Sequence, residues 1–330
     1  MKEIFPPRSI FLAPMEGITN PLYRSAIEEL YSEWDFMSCD FLRVPCAGFY
    51  RPEHLIKHYG AEIYESDRFR AKTIYQILTT PIAQTQEVVQ NLNQLKFPWL
   101  DLNLGCPSRT VCKRQGGSYL LSDLENLENV IKTIRRNFDG IFTCKIRVGY
   151  ADDENFEDIL RLLETQGVEA ITVHARTRAQ MYKGTANWEY IKNAANICSI
   201  PIIGNGDLWT ASDIDQMFQK TGCHSVMVAR GALKTPWLAK LFKLKTGARL
   251  NEEEQLNLRR FEIPRYLLKI HQLIQKTGMV ESVQLRKLKS LSYYLFDDFP
   301  EALEKRRLIL RSSNTERYIN NLRLVLQAQS

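Results

Sequence analysis

Eight short β-rich apolar runs recur along the first 245 residues, separated by longer stretches of helical apolar spacing. This alternation is the strongest constraint on the fold, because strands joined by helical crossovers pair in parallel and are buried on both faces. The runs are Ser9–Ala13, Phe36–Cys39, Thr73–Leu78, Trp99–Asn103, Phe142–Val148, Ala170–His174, Pro201–Gly204 and Ser225–Ala229. Leu124–Arg136 and Phe156–Gln166 show the intervening helical pattern, and Gly140, Gly167 and Pro201 punctuate strand starts. Eight strands in about 240 residues predict an α/β fold, a (β/α)8 TIM barrel over residues 1–245. An open doubly wound sheet is the structural rival. No GxGxxG follows the first run, which weakens it.

The pattern changes near Thr246-Gly247-Ala248-Arg249, where strand signals stop. Asn251-Glu252-Glu253-Glu254 reads as a helix N-cap with acidic residues in the first turn. Amphipathic helices follow, broken near Thr277-Gly278, Phe299-Pro300 and Ser312-Ser313-Asn314, so residues 246–330 are expected to form an all-α helical bundle. The net charge of +6 is uneven: residues 251–330 hold fourteen Lys/Arg against ten Asp/Glu. That excess suits a polyanionic partner, although a solvated basic surface gives the same count. An apolar fraction of 44% and a charged fraction of 25% fit a soluble globular chain. No apolar run reaches the roughly 18 residues of a membrane span. The start, MKEIFPPRSIFLAPMEG, lacks a signal peptide's continuous apolar core, and seven cysteines argue for a reducing cytoplasm over a disulfide framework.

In such a barrel the site lies at the carboxyl ends of the strands. The residues there are Pro14-Met15-Glu16-Gly17, Gln76, Asn103-Leu104-Gly105-Cys106-Pro107, Lys145 and Arg147, His174 and Arg176, Gly204-Asn205-Gly206-Asp207 and Ala229-Arg230-Gly231. The Gly-rich turns after strands seven and eight match the barrel phosphate site, where backbone N–H groups and a helix N-terminus favour a dianion. Ordinary tight turns are the bland alternative. Lys145 suits the negative charge of a reduced isoalloxazine, and Gln76 its polar edge. A structural ion pair would also account for the lysine. Together these features favour flavin mononucleotide (FMN) over a bare sugar phosphate. Cys106 lies on a Gly-rich, mobile-looking loop, where a thiol can approach a substrate carbon and deliver a proton. Cys39, Cys46, Cys112, Cys144, Cys198 and Cys223 read as buried. With no CxxC pair and no HExxH, no metal site is expected.

Ala13-Pro14-Met15-Glu16-Gly17, Asp101-Leu102-Asn103-Leu104-Gly105-Cys106-Pro107, Lys145-Ile146-Arg147-Val148-Gly149, His174-Ala175-Arg176-Thr177, Ile203-Gly204-Asn205-Gly206-Asp207 and Arg230-Gly231-Ala232 come in one order and spacing. They resemble the tRNA-dihydrouridine synthases over nearly the whole chain. Phe41-Leu42-Arg43-Val44 and Leu288-Lys289-Ser290-Leu291-Ser292-Tyr293-Tyr294 are most similar to the bacterial C-type branch. The resemblance implies FMN, NADPH as reductant, and a uridine of the tRNA D-loop as substrate, position 16 for this branch. It implies that Pro14, Met15, Glu16, Gln76, Lys145 and His174 touch the isoalloxazine neighbourhood. Asn205, Gly206, Asp207, Ala229 and Arg230 would hold the phosphate, and Cys106 would be the general acid. Asn103, Arg176 and Tyr182 would seat the flipped uracil; Arg43, Lys289, Tyr294 and Arg307 would contact tRNA, with a monomer sufficing. Ala229 departs from a frequent Gly, and Leu291 stands where an aromatic would stack on RNA. The rivals are a dihydroorotate-type dehydrogenase of a free pyrimidine, a non-catalytic tRNA-binding protein and a flavin-free barrel isomerase.

Overall fold

A computed structural model describes residues 4–245, 250–297 and 302–326. The β-branched and aromatic runs form nine strands: β1 Ile10–Leu12, β2 Phe36–Ser38, β3 Leu42–Arg43, β4 Thr73–Leu78, β5 Trp99–Leu104, β6 Ile141–Arg147, β7 Ala170–His174, β8 Ile202–Asn205 and β9 Ser225–Val228. The described residues divide into two compact units. The first comprises residues up to Pro21, Trp34–Leu208 and Asp213–Ala229. The second comprises Leu22–Glu33, Trp209–Ser212 and the described residues from Arg230 onward.

In the first unit β1 pairs with β2 and β9, consecutive strands pair from β4 to β9, and β2 pairs with β4, closing an eight-stranded parallel barrel. All eight expected strands are present. The doubly wound alternative fails on that closure, since an open sheet leaves two edges. The ninth strand, β3, was not expected. Register explains it: Ser38 faces Ile74, whereas Leu42 faces Ile77, so one extra residue intervenes between β2 and β3. A bulge of this kind re-aims the following side chains and leaves no period-2 signal in the sequence. It delivers Arg43 to the carboxyl rim of the barrel.

Helices Thr85–Gln94, Leu124–Asn137, Phe156–Thr165 and Glu189–Ile197 cover the strands with their apolar stripes. The amino end of the barrel is filled by rings. Phe5 stacks on Trp99 at 5.6 Å and Phe11 on Phe36 at 4.8 Å, packed with Ile74, Ala170, Ile203 and Met227. This apolar floor confines polar side chains to the opposite end.

The second unit is helical: besides the described residues from Arg230 onward it takes in Leu22–Glu33, most of helix Pro21–Leu30, and Trp209–Ser212. Its long helix Glu252–Gln275 opens with a capping box, Asn251 accepting from the Glu254 N–H while the Glu254 side chain accepts from the Asn251 N–H. The break at Thr277-Gly278 and the break at Ser312-Ser313-Asn314 separate helices Glu281–Leu295 and Thr315–Leu326 from their predecessors. The changes expected at 246–249 and at Phe299-Pro300 lie outside the described residues. Buried Glu262 organises the unit: it accepts from the Tyr31 hydroxyl at 3.0 Å and pairs with Arg265 at 3.1 Å and Lys240 at 3.5 Å. None of these partners is near Glu262 in the sequence except Arg265.

Truncating Glu262→Ala leaves the Tyr31 hydroxyl buried without its acceptor and is expected to cost about 2 kcal/mol, read from urea unfolding. The value sits below that of a fully buried pair because Lys240 and Arg265 stay 35% and 39% exposed and can hydrate. An unchanged denaturation midpoint would show that the pairing contributes nothing net.

Candidate active site

Side chains two apart on a strand share a face, so the residues following the ring floor point up the barrel interior. β5 presents Asp101 then Asn103, β6 presents Thr143, Lys145 and Arg147, and β4, β7 and β8 present Gln76, His174 and Asn205. Water cannot reach most of this layer, so its polar groups bond to one another. The Trp99 indole N–H donates to Thr143 Oγ1 at 3.0 Å, and the Thr143 hydroxyl donates to Asp101 Oδ1 at 2.7 Å. Gln76 Nε2 donates to Asp101 Oδ2 at 2.7 Å, and Asn103 Nδ2 donates to Gln76 Oε1 at 2.8 Å. Asn103 Oδ1 then accepts the N–H groups of Gly105 at 3.1 Å and Cys106 at 2.9 Å.

Lys145 Nζ donates to Asn205 Oδ1 at 3.3 Å, and Asn205 Nδ2 donates to the Met227 carbonyl at 2.6 Å. Burial, reinforced by the Arg147 guanidinium, brings Lys145 down to about 8, while Asp101 opposes the shift. Lys145 therefore carries its charge at neutral pH. Burial pushes the Asp101 carboxyl up to about 6 against the Thr143 and Gln76 hydrogen bonds and the Lys145 charge.

Cys106 is buried against Leu78 and Val111, with Phe41 alongside. Its segment is fastened rather than loose. The Cys106 carbonyl accepts from Ser118 Oγ at 2.8 Å, and Arg147 Nε donates to the Gly105 carbonyl at 2.9 Å. Gly117, at φ +58°, passes so close that a Cβ there would lie 3.1 Å from Cys106 Cβ. Burial raises the thiol above its ordinary range and the Glu16 charge adds to this, while the Ser108 N–H and Arg43 oppose it. The Cys106 thiol is thus protonated at neutral pH. Cys46 corrects the expectation of burial: it is exposed, in the turn after β3 and outside any strand.

Arg176 and Asp207 are spoken for. The buried Arg176 guanidinium donates to Asp207 Oδ2 at 2.6 Å and to the Gly184 carbonyl at 2.6 Å, and lies 3.4 Å from His174 Nε2. Asp207 Oδ2 also accepts the Ala186 N–H at 2.7 Å. The pair ties the turn after β8 to the loop after β7. Tyr182, on that loop, is 54% exposed; its ring lies 6.3 Å from His174 and 5.3 Å from the Arg147 guanidinium.

Gly206 adopts φ +137°, and a Cβ on it would meet Ala186 Cβ at 2.7 Å, so the turn demands glycine. Ala229 is half-buried against the core after β9, and Arg230, in the second unit, stacks on Trp209 at 4.8 Å. Pro14 and Met15 are half-buried at the end of β1. Glu16 pairs with Arg43 at 2.8 Å on the surface near Cys106. The structure therefore gathers Gln76, Asn103, Cys106, Lys145, His174, Asn205, Glu16 and Arg43 in the first unit. Lys289 and Tyr294 are half-buried and Arg307 is exposed, all in the second unit. Asp101 and Thr143 were not among the expected site residues, and Arg147, expected at the rim, had been given no role there. Alternation with Asn103 and Lys145 was the signal that could have found them. Among the described residues no cluster of His, Cys, Asp and Glu could hold a metal ion, and no helix is long and apolar enough to cross a membrane.

The family model described as Dihydrouridine synthase (Dus) matches residues 11–329. A tRNA-dihydrouridine(16) synthase of Pseudomonas syringae pv. tomato is 32% identical over 235 residues, 70% of this chain and 73% of the relative. One of Cupriavidus necator is 30% identical over 311 residues, 93% of this chain and 94% of the relative. A 2-naphthoyl-CoA reductase in complex with 2-naphthoyl-CoA superposes with a TM-score of 0.51 at 12% identity, a match spanning 72% of this chain and half of that one. At that identity the likeness shows a shared barrel fold and nothing finer.

Because the raised Cys106 thiol ionises only above the usual thiol range, its alkylation by iodoacetamide should be slow at pH 7.5 and accelerate as pH rises past that range. Peptide mass spectrometry should find exposed Cys46 labelled first. Labelling of Cys106 at neutral pH as fast as Cys46 would contradict a buried, protonated thiol.

Proposed function

Since the chain belongs to the dihydrouridine synthase family, we propose that it reduces a uridine of the tRNA D-loop, at position 16, to 5,6-dihydrouridine. The observation that carries this reading is a protonated thiol, Cys106, held at the rim of a barrel that also presents Lys145 and a glycine-built turn at Gly206. Similarity to tRNA-dihydrouridine(16) synthases supports the substrate and the position.

The residues fit an FMN. The turns after β8 and β9, at Asn205-Gly206-Asp207 and Ala229, would offer backbone N–H groups to its phosphate. Lys145, cationic at neutral pH, suits the charge of a reduced ring. Gln76 and His174, with Pro14, Met15 and Glu16 at the end of β1, border the same rim. When bound and reduced by NADPH, the flavin supplies the hydride that saturates uracil C6. Asp207, paired with Arg176, would border the phosphate turn, and Arg176 would help seat the uracil.

The chain's own part is to position, exclude water and give a proton. A stacked base cannot enter the barrel mouth, so the uridine must be flipped out. Asn103 and Tyr182 seat it, and the Cys106 S–H transfers its proton to C5. Burial that raises the thiol keeps the proton available until the base arrives. Arg43 in the barrel, and Lys289, Tyr294 and Arg307 in the module we place at 246–330, contact the tRNA, whose phosphates reward that module's net positive charge. Arg286 and Tyr293, both exposed on helix Glu281–Leu295, extend this surface. The enzyme works in the cytoplasm, where tRNA and NADPH meet.

Purified protein should show a flavin absorbance band, and with NADPH it should convert uridine in unmodified tRNA transcript to dihydrouridine, read by nucleoside mass spectrometry. Turnover of free orotate without turnover of tRNA would overturn the assignment. Cys106→Ala should keep the flavin band and lose at least about a hundredfold in kcat. Lys289→Glu with Arg307→Glu should weaken tRNA binding about tenfold at moderate salt with flavin content unchanged; undiminished affinity would remove the helical module from the interface.

A further inference from the structure

The Cys106 segment is held by Asn103 Oδ1, yet an asparagine carboxamide has nearly the same shape in either orientation. Something must decide that its oxygen, and not its NH2, faces the loop. The decision can be traced downward. Asn103 donates to Gln76 Oε1, and Gln76 donates to Asp101 Oδ2, so each amide is oriented by the group below it. At the base stands Thr143, whose oxygen already accepts the Trp99 N–H, leaving its single proton for Asp101 Oδ1. An ionised carboxylate accepts hydrogen bonds and donates none.

We propose that Asp101 is a positioning residue that sets the direction of the hydrogen-bond chain Gln76–Asn103 and thereby turns Asn103 Oδ1 toward the N–H groups of Gly105 and Cys106. The inference rests on the reading of Cys106 as the proton donor. Asp101 is 3% exposed and lies two residues below Asn103 on β5, so it acts only through these amides. With its carboxyl at about 6 it is ionised at neutral pH, with Lys145 the nearby cation. Were the chain reversed, the Asn103 NH2 would face two backbone N–H donors in a buried site. Each donor so orphaned costs free energy, and the Cys106 segment would lose the bonds at its amide side. Arg147 would still grip the Gly105 carbonyl, so the segment would loosen without unfolding.

Hydrogen–deuterium exchange of the full-length protein at pH 7.5, with and without flavin, tests this. Asp101→Asn is isosteric but can donate toward Gln76, which removes the bias. Exchange in the peptide spanning residues 104–108 should speed about tenfold, with β6 and β7 as protected as before. The double variant D101N/Q76E moves the carboxylate one place along the chain, where it again accepts from both sides. Exchange in that variant should return to within about twofold of native, an effect that packing alone does not produce. Native protection in Asp101→Asn, acceleration throughout the barrel, or a double variant as fast as Asp101→Asn overturns the proposal. Gln76→Leu cuts the chain at its middle and should match the acceleration; slow exchange there overturns the proposal even where Asp101→Asn does not fold. Exchange reads only the relay, whereas the Cys106→Ala turnover reads only the reaction, so the two ideas fail separately.

Discussion

The ladder between β2 and β4 closes the sheet, and because all eight barrel strands are parallel it brings eight carboxyl ends to one rim. Opened there, the sheet would have two free edges and the residues after β1 and β4 would part. Closure also creates an interior that only side chains can fill. Phe5, Phe11, Phe36 and Trp99 fill its amino end, where aromatic rings bury the most surface per residue. Polar chemistry is left a single place to go.

That place carries its own constraint. A polar group in the barrel interior that lacks a partner costs about as much as several kilocalories of transfer, so the layer above the floor is wired internally. The wiring has a direction because a threonine hydroxyl owns one proton and a carboxylate owns none. The groups that satisfy the interior of the barrel are the groups that fix the amide side of Cys106, while Ser118 and Arg147 fix its carbonyl side and the carbonyl before it. A buried thiol in a fastened segment stays protonated.

The barrel was legible because strand and helix periods differ and eight repeats of the alternation leave few foldings. Cys106, Lys145, Asn103 and Asn205 were legible because each stands in the carboxyl half of such a run or just past it. Other features carry no local signal. A two-residue strand after a bulge has no period, so β3 and the delivery of Arg43 to the rim escaped notice. Arg176 and Asp207 each look like a free charge in sequence, and only folding shows that 31 positions apart they neutralise one another. Cys46 was expected inside and stands outside, because a turn rather than a strand holds it.

By itself the sequence determined the barrel, the helical character of the C-terminal part and the residues that crowd the carboxyl rim, since these depend on periodicity and on spacing within single runs. Tertiary structure alone decided which charges are spent on each other, that Leu22–Glu33 joins the second unit, where Tyr31 meets Glu262, and that Asp101 is linked through Gln76 and Asn103 to the Cys106 N–H. The reason is physical. Propensity and pattern act between neighbours along the chain, whereas ion pairing, desolvation and the direction of a hydrogen bond are set by whichever group closure brings within 3 Å.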